Sequence, residues 1–104
     1  MIEGFLTYLR SEKRYSELTV RAYGDDIRQF VLFCCGVTAS PTPEEEADIL
    51  RSFDPTLSEG NDLRGWIMHL TGTKNLSARS VNRKISSVKS LYRYLRKKGI
   101  VAGD

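Results

Sequence analysis

Proline, cysteine and histidine are scarce in this 104-residue chain, which holds three, two and one of them. All three prolines (Pro41, Pro43 and Pro55) lie in one stretch, so nothing outside it is barred from helix by a missing N–H donor. The two cysteines, Cys34 and Cys35, are adjacent. That excludes a disulfide framework. Vicinal thiols are also a poor geometry for one ion, and no second Cys pair exists to join His69, so no metal site is read and no cofactor is expected. Long apolar runs are missing as well. The longest, Phe30–Cys35, has six residues. A membrane span needs about 20, and a secretory signal needs a basic start followed by about 7–15 apolar residues. Together these absences predict a cytoplasmic chain.

The most informative absence is acid in the second half. Asp62 is the last acidic residue before Asp104. Residues 1–62 hold 12 acidic and 6 basic side chains, net −6, whereas residues 63–104 hold 10 basic and 1 acidic, net +9. A basic back half on a short chain points to a surface that faces a polyanion. The chain is 40% hydrophobic and 10% aromatic, enough for one domain with one modest core and too much for a disordered tail.

No segment alternates Val, Ile and Thr as a half-buried strand would, so the domain reads as all-α. Four stretches carry helical spacing. The first is Ile2, Phe5, Leu6 and Leu9, closed by Arg10–Arg14 and Tyr15. The second opens at Ser16 or Thr19, with the stripe Tyr23, Ile27, Phe30, Val31 and Cys34 and then Gly36 as terminator. The third takes Asn61 or Asp62 as cap, has the stripe Leu63, Trp66, Ile67 and Leu70, and ends at Gly72. The fourth is capped by Ser77, stapled by Leu76 and Val81, and striped by Val81, Ile85, Val88, Leu91, Tyr92 and Leu95. Lys97, Lys98 and Gly99 end it with the sign the helix dipole favours. Between the second and third lies the polar segment 37–60. In it Pro43 and Glu44–Glu46 predict a short extra helix, pinned by Ile49, Leu50 and Phe53.

With Val81 at 0° and about 100° per residue, the fourth helix turns Arg79, Arg83, Ser86, Ser90 and Lys97 away from its stripe. Small serines between cations let a backbone approach a surface, and arginines near the helix N-terminus reach phosphates or guanine edges. Lys89, Arg93, Arg96 and Lys98 widen the basic area. A merely solvated face usually mixes signs, and this one does not.

Two motifs carry a family resemblance. Phe5-Leu6-x-Tyr8-Leu9 is followed by Ser16-Glu17-x-Thr19-x-x-x-Tyr23-x-x-Asp26-Ile27-x-x-Phe30. Later, Leu76-Ser77-Ala78-Arg79-Ser80-Val81-Asn82-Arg83-Lys84-Ile85 runs on to Tyr94-Leu95 and Lys98-Gly99-Ile100. In order and at this separation they resemble the N-terminal domain of tyrosine recombinases of the Xer and phage-integrase type.

The resemblance implies a SAM-like core-binding domain over residues 1–98. Four main helices would form two crossed hairpins, with a loop or short-helix insertion at 37–60 and the start of an interdomain linker at 99–104. It implies that the second and fourth helices face the major groove of double-stranded DNA. Carried over by position, Thr19, Arg21 and Ala22, and Arg79, Ser80, Arg83 and Lys84, are the expected DNA-facing residues. Arg21, Arg79 and Arg83 also lie away from their stripes. Lys84 lies near the core edge, so its place rests on the resemblance alone.

One departure is Gly24-Asp25-Asp26, where many relatives look basic; Asp25, four residues after Arg21, is placed to pair with it. The family's tyrosine nucleophile, with its arginines, lysine and histidines, belongs to a second domain that nothing here matches. The fragment is therefore read as non-catalytic, monomeric alone, and part of a parent that assembles as a tetramer on DNA. The five tyrosines read as structural: Tyr23 and Tyr92 on stripes, Tyr8 beside one, Tyr15 and Tyr94 at edges. The rival reading is a basic module for an acidic protein or an anionic membrane.

Overall fold

The computed structural model of the chain describes residues 1–37, 39–57 and 60–102. Thr38, Ser58 and Glu59 of the 37–60 segment, and Gly103 and Asp104 of the 99–104 stretch, lie outside the described residues. Among the described residues there are five α-helices and no strand: α1 (Ile2–Ser11), α2 (Glu17–Cys34), α3 (Pro43–Ser52), α4 (Asn61–Met68) and α5 (Ala78–Lys97). The all-α reading stands, with the short helix in the 37–60 segment present as α3.

The helix ends follow their sequence signals. Ser16 caps α2 by accepting from the Thr19 N–H at 3.2 Å, and Ser77 caps α5 by accepting from Ser80 at the same distance. Thr42 and Glu45 form a reciprocal capping box ahead of Pro43. Gly36 and Gly99 follow α2 and α5 with φ of +71° and +74°, the left-handed conformation that ends a helix. Helix α4 differs from expectation. Gly60, with φ +83°, precedes it and supplies no side-chain cap, so Asp62 sits inside the first turn. Nor does α4 run on to Gly72. It widens after Met68 into a π-helical turn, His69–Thr73, in which the Lys74 N–H reaches the His69 carbonyl and the Thr71 hydroxyl bonds back to Ile67.

Helix α2 is the hub and packs against each of the other four helices. Its buried Val20, Ile27, Phe30 and Val31 meet Phe5 and Leu9 of α1, Trp66 of α4, and Val81, Val88, Leu91, Tyr92 and Leu95 of α5. Phe30 and Trp66 lie edge to face, 5.3 Å between centroids. Helix α3 buries no side chain fully; Ile49, Leu50 and Phe53 rest partly buried against the core. Pro55, just after it, is buried and accepts a 2.8 Å hydrogen bond from the Tyr92 hydroxyl. Val101 is also buried, so the stretch after Gly99 folds back onto the core. Tyr94, expected at an edge, is buried against Phe5 and Tyr8. Gly4 makes that possible, because a Cβ there would stand 2.8 Å from the Tyr94 hydroxyl.

Candidate nucleic-acid interface

The site is organised by one buried carboxylate. Asp26, fully buried in the middle of α2, receives four hydrogen bonds from α5. Arg83 donates from Nε to Oδ2 at 3.1 Å and from Nη2 to Oδ1 at 2.8 Å. The Lys84 ammonium donates to Oδ1 at 2.9 Å, and the Ser87 hydroxyl to Oδ2 at 2.8 Å. Lys84, itself buried, also donates to Gln29 Oε1 at 2.7 Å. Burial opposes the Asp26 charge, but the hydrogen bonds from Arg83, Lys84 and Ser87, with the Lys84 charge, outweigh it and hold the carboxyl below its ordinary pKa. The hydrogen bond to Asp26 raises the Arg83 pKa further above neutrality. Asp26 and Arg83 therefore stay ionised, and the cluster clamps α2 to α5.

The same contacts fix how the two helices run. Gln29 meets Lys84, Asp26 meets Arg83, Lys84 and Ser87, and Tyr23 lies beside the Ser90 hydroxyl. Partners rise along α5 as they fall along α2, so the helices are antiparallel. The expected DNA-facing residues consequently extend in opposite directions from the Asp26 clamp. Arg21 lies five residues before Asp26 on one side, and Arg79 four before Arg83 on the other. At a rise of about 1.5 Å per residue they stand roughly 13–20 Å apart along the pair.

Each expected residue has a distinct setting. Arg21 and Arg79 are exposed. Thr19 and Ser80 are half-buried at the third helical positions, where their hydroxyls meet the capping serines Ser16 and Ser77. Ala22 is half-buried. The Arg83 side chain is 49% exposed although one edge is held by Asp26, whereas that of Lys84 is only 7% exposed. Asp25 pairs with Arg28 rather than with Arg21, because the i, i+3 position on α2 brings it within reach; Arg28 also reaches Glu46 of α3 at 3.5 Å. Arg21 is thus not engaged by Asp25.

Sequence reasoning missed Asp26 as an organiser, and a signal for it existed. Asp26 sits three after Tyr23 and four before Phe30, and Lys84 three after Val81 and four before Val88. An acid on one apolar stripe and a base on another are candidates for each other. The remaining candidates hold structural places. Cys34 packs half-buried on the core and His69 lies 5.4 Å from the Phe33 ring. Burial, and next the neighbouring Tyr15, push the Tyr23 phenol up, away from what an activated nucleophile needs. Among the described residues no group of three His, Cys, Asp or Glu could hold a metal ion, and no helix is long and apolar enough to cross a membrane.

The model of the phage integrase N-terminal SAM-like domain matches residues 1–100. The chain belongs to that family. Similar proteins include the tyrosine recombinase XerC of Leptospira interrogans, 31% identical over 96% of this chain and 28% of the relative. XerC of Chlorobaculum parvum is 34% identical over 99% of the chain and 28% of the relative. XerD of Listeria monocytogenes is 32% identical over 100% and 31%. The SAM-like chain thus spans less than a third of the length of these relatives. No solved structure gives a significant match.

Proposed function

We propose that this SAM-like domain is the DNA-gripping part of a site-specific tyrosine recombinase. In this reading α1–α2 and α4–α5 act as two crossed hairpins that present the antiparallel α2–α5 pair to one half-site of duplex DNA. Arg21 and Arg79 reach out from either side of the clamp, and Thr19, Ala22 and Ser80 shape a close approach. Lys84 acts from beneath the surface by holding Asp26 in place. The phosphotyrosyl chemistry belongs to a second domain, and the parent works as a tetramer on DNA while this domain alone is a monomer.

The observation that carries the reading is the charge of α5. It holds seven basic residues and no acidic one, with Arg79, Lys89, Arg93 and Lys97 exposed. Such a face repels itself until a polyanion neutralises it. The rival lipid reading has less support, because the apolar stripe of α5 is buried in the core and unavailable to acyl chains.

The test is a salt titration of the domain's binding to duplex DNA by fluorescence anisotropy. Four or five phosphate contacts predict a slope of log K against log salt of about −3.5 to −4.5. Arg79→Ala should weaken binding to all sequences alike and reduce the magnitude of the slope by about 1. No binding, or a slope near zero, overturns the proposal.

A further inference from the structure

Arg83 and Arg79 look equivalent in sequence, two arginines one turn apart on the same basic helix, but the clamp makes them different. Arg79 is exposed on the first turn of α5. Arg83 already carries an anion. Asp26 occupies its side edge, Nε and Nη2, which leaves the end edge, Nη1 and the second hydrogen of Nη2, unused by Asp26 on a side chain that is half exposed. We propose that Arg83 is the sequence-reading arginine of this domain, held by Asp26 so that its free edge is offered to a base, while Arg79 supplies sequence-independent phosphate contact.

Three features support that division. The free end edge is a pair of parallel N–H donors, which matches two adjacent acceptors such as guanine O6 and N7. The orientation is fixed before binding, because Asp26 is buried and held in turn by Lys84 and Ser87, so little rotamer freedom is lost on contact. The electrostatics also separate the ligands. A phosphate brought to Arg83 would stand near the Asp26 carboxylate and be opposed by it, whereas a base edge offers acceptors without net charge. Lys84 offsets part of this opposition, but its ammonium is buried between Asp26 and Gln29 and offers no donor to a ligand, so a phosphate gains less at Arg83 than at the exposed Arg79. Asp26 is on this account a positioning residue, and Arg83 the contact.

The inference rests on the proposed DNA-binding function, and the test separates the two. A pool of duplexes with a randomised central stretch is selected on the 104-residue chain and sequenced, and affinities for the enriched duplex and a scrambled one are followed against salt. The wild-type chain should discriminate at one or more G·C pairs. Arg83→Lys keeps the charge and loses the fork. It should lose roughly 5- to 150-fold of that discrimination at one base pair, with the salt slope unchanged. Asp26→Asn, checked for folding by circular dichroism, should lose discrimination at the same pair. In the Arg83→Lys background it should produce no further loss at that pair, which a merely structural role would not achieve. The inference is overturned if Arg83→Lys keeps the wild-type preference, if its loss is equal on both duplexes, or if the wild-type chain binds without preference. Failure of the wild-type chain to bind any duplex overturns the proposed function as well.

Discussion

At the scale of the residue, Asp26 is the group whose loss reaches furthest. Removing it leaves the buried Lys84 ammonium with only the neutral Gln29 oxygen, and breaking a buried pair from one side costs about 3–5 kcal/mol. Asp26→Ala should therefore lower the urea midpoint strongly; a shift equivalent to less than about 1 kcal/mol contradicts the clamp. The pH dependence has a definite sign. The native carboxyl titrates below its unfolded value of about 3.9, so unfolding in acid takes up a proton. The contribution is fully present above that value and is lost as pH falls through the native one. The gap in stability between wild type and Asp26→Asn should be constant near pH 6–7 and shrink below about pH 4. A gap that widens in acid rules this out. The clamp was half legible in the sequence: both stripe positions could be counted, but a wheel drawn for one helix cannot say which stripe on another lies opposite. That needs the antiparallel pairing, which is a tertiary fact.

At the scale of the element, the caps and stripes were legible because they are local. Ser16, Ser77 and the Thr42–Glu45 box act within one turn, and the stripes Phe5 to Leu9 and Val81 to Leu95 repeat every turn. What escaped depended on neighbours. Tyr94 lies off its stripe and is buried because α1 leaves a gap at Gly4, and the π-helical turn at His69 has no counterpart in spacing. Two glycines consequently behave in opposite ways. Alanine is the better helix former by about 0.8–1.0 kcal/mol, and at Gly65 the added Cβ would meet only the Phe33 ring at an ordinary 3.7 Å. Gly65→Ala should stabilise by about 0.5–1 kcal/mol. At Gly4 the Cβ would meet the Tyr94 hydroxyl at 2.8 Å, and the ring is flanked by Phe5 and Tyr8, 5.6 and 5.1 Å from it centroid to centroid, so a shift of the ring disturbs its buried packing. Gly4→Ala should destabilise by about 1–3 kcal/mol through overpacking. Thermal melts of the two variants check both; equal shifts contradict the packing described.

At the scale of the whole molecule, charge is divided between the helices. The exposed ion pairs Arg10–Glu17, Arg28–Asp25 and Arg51–Asp48 all join residues of the first three helices, where acids are plentiful. Such exposed pairs contribute little. Helix α5 is different, because Asp26, its acidic partner in the clamp, belongs to α2 and is buried, while Arg79, Lys89, Arg93 and Lys97 face solvent together. Self-repulsion along α5 is then an electrostatic term that salt can reach, whereas the buried clamp is nearly immune to salt. Raising NaCl from about 20 to about 300 mM should increase the melting temperature rather than lower it. A polyanion that binds the folded face should raise it further at low salt, with the increment growing with its concentration as linkage requires, and the increment should vanish at high salt. Differential scanning fluorimetry with and without heparin, at both salt concentrations, measures all of this. If salt destabilises the domain, the surface pairs of α1–α3 outweigh α5 and the basic face is not under strain. Replacing Lys89 and Arg93 by Gln should shrink both effects together, because one set of charges produces them.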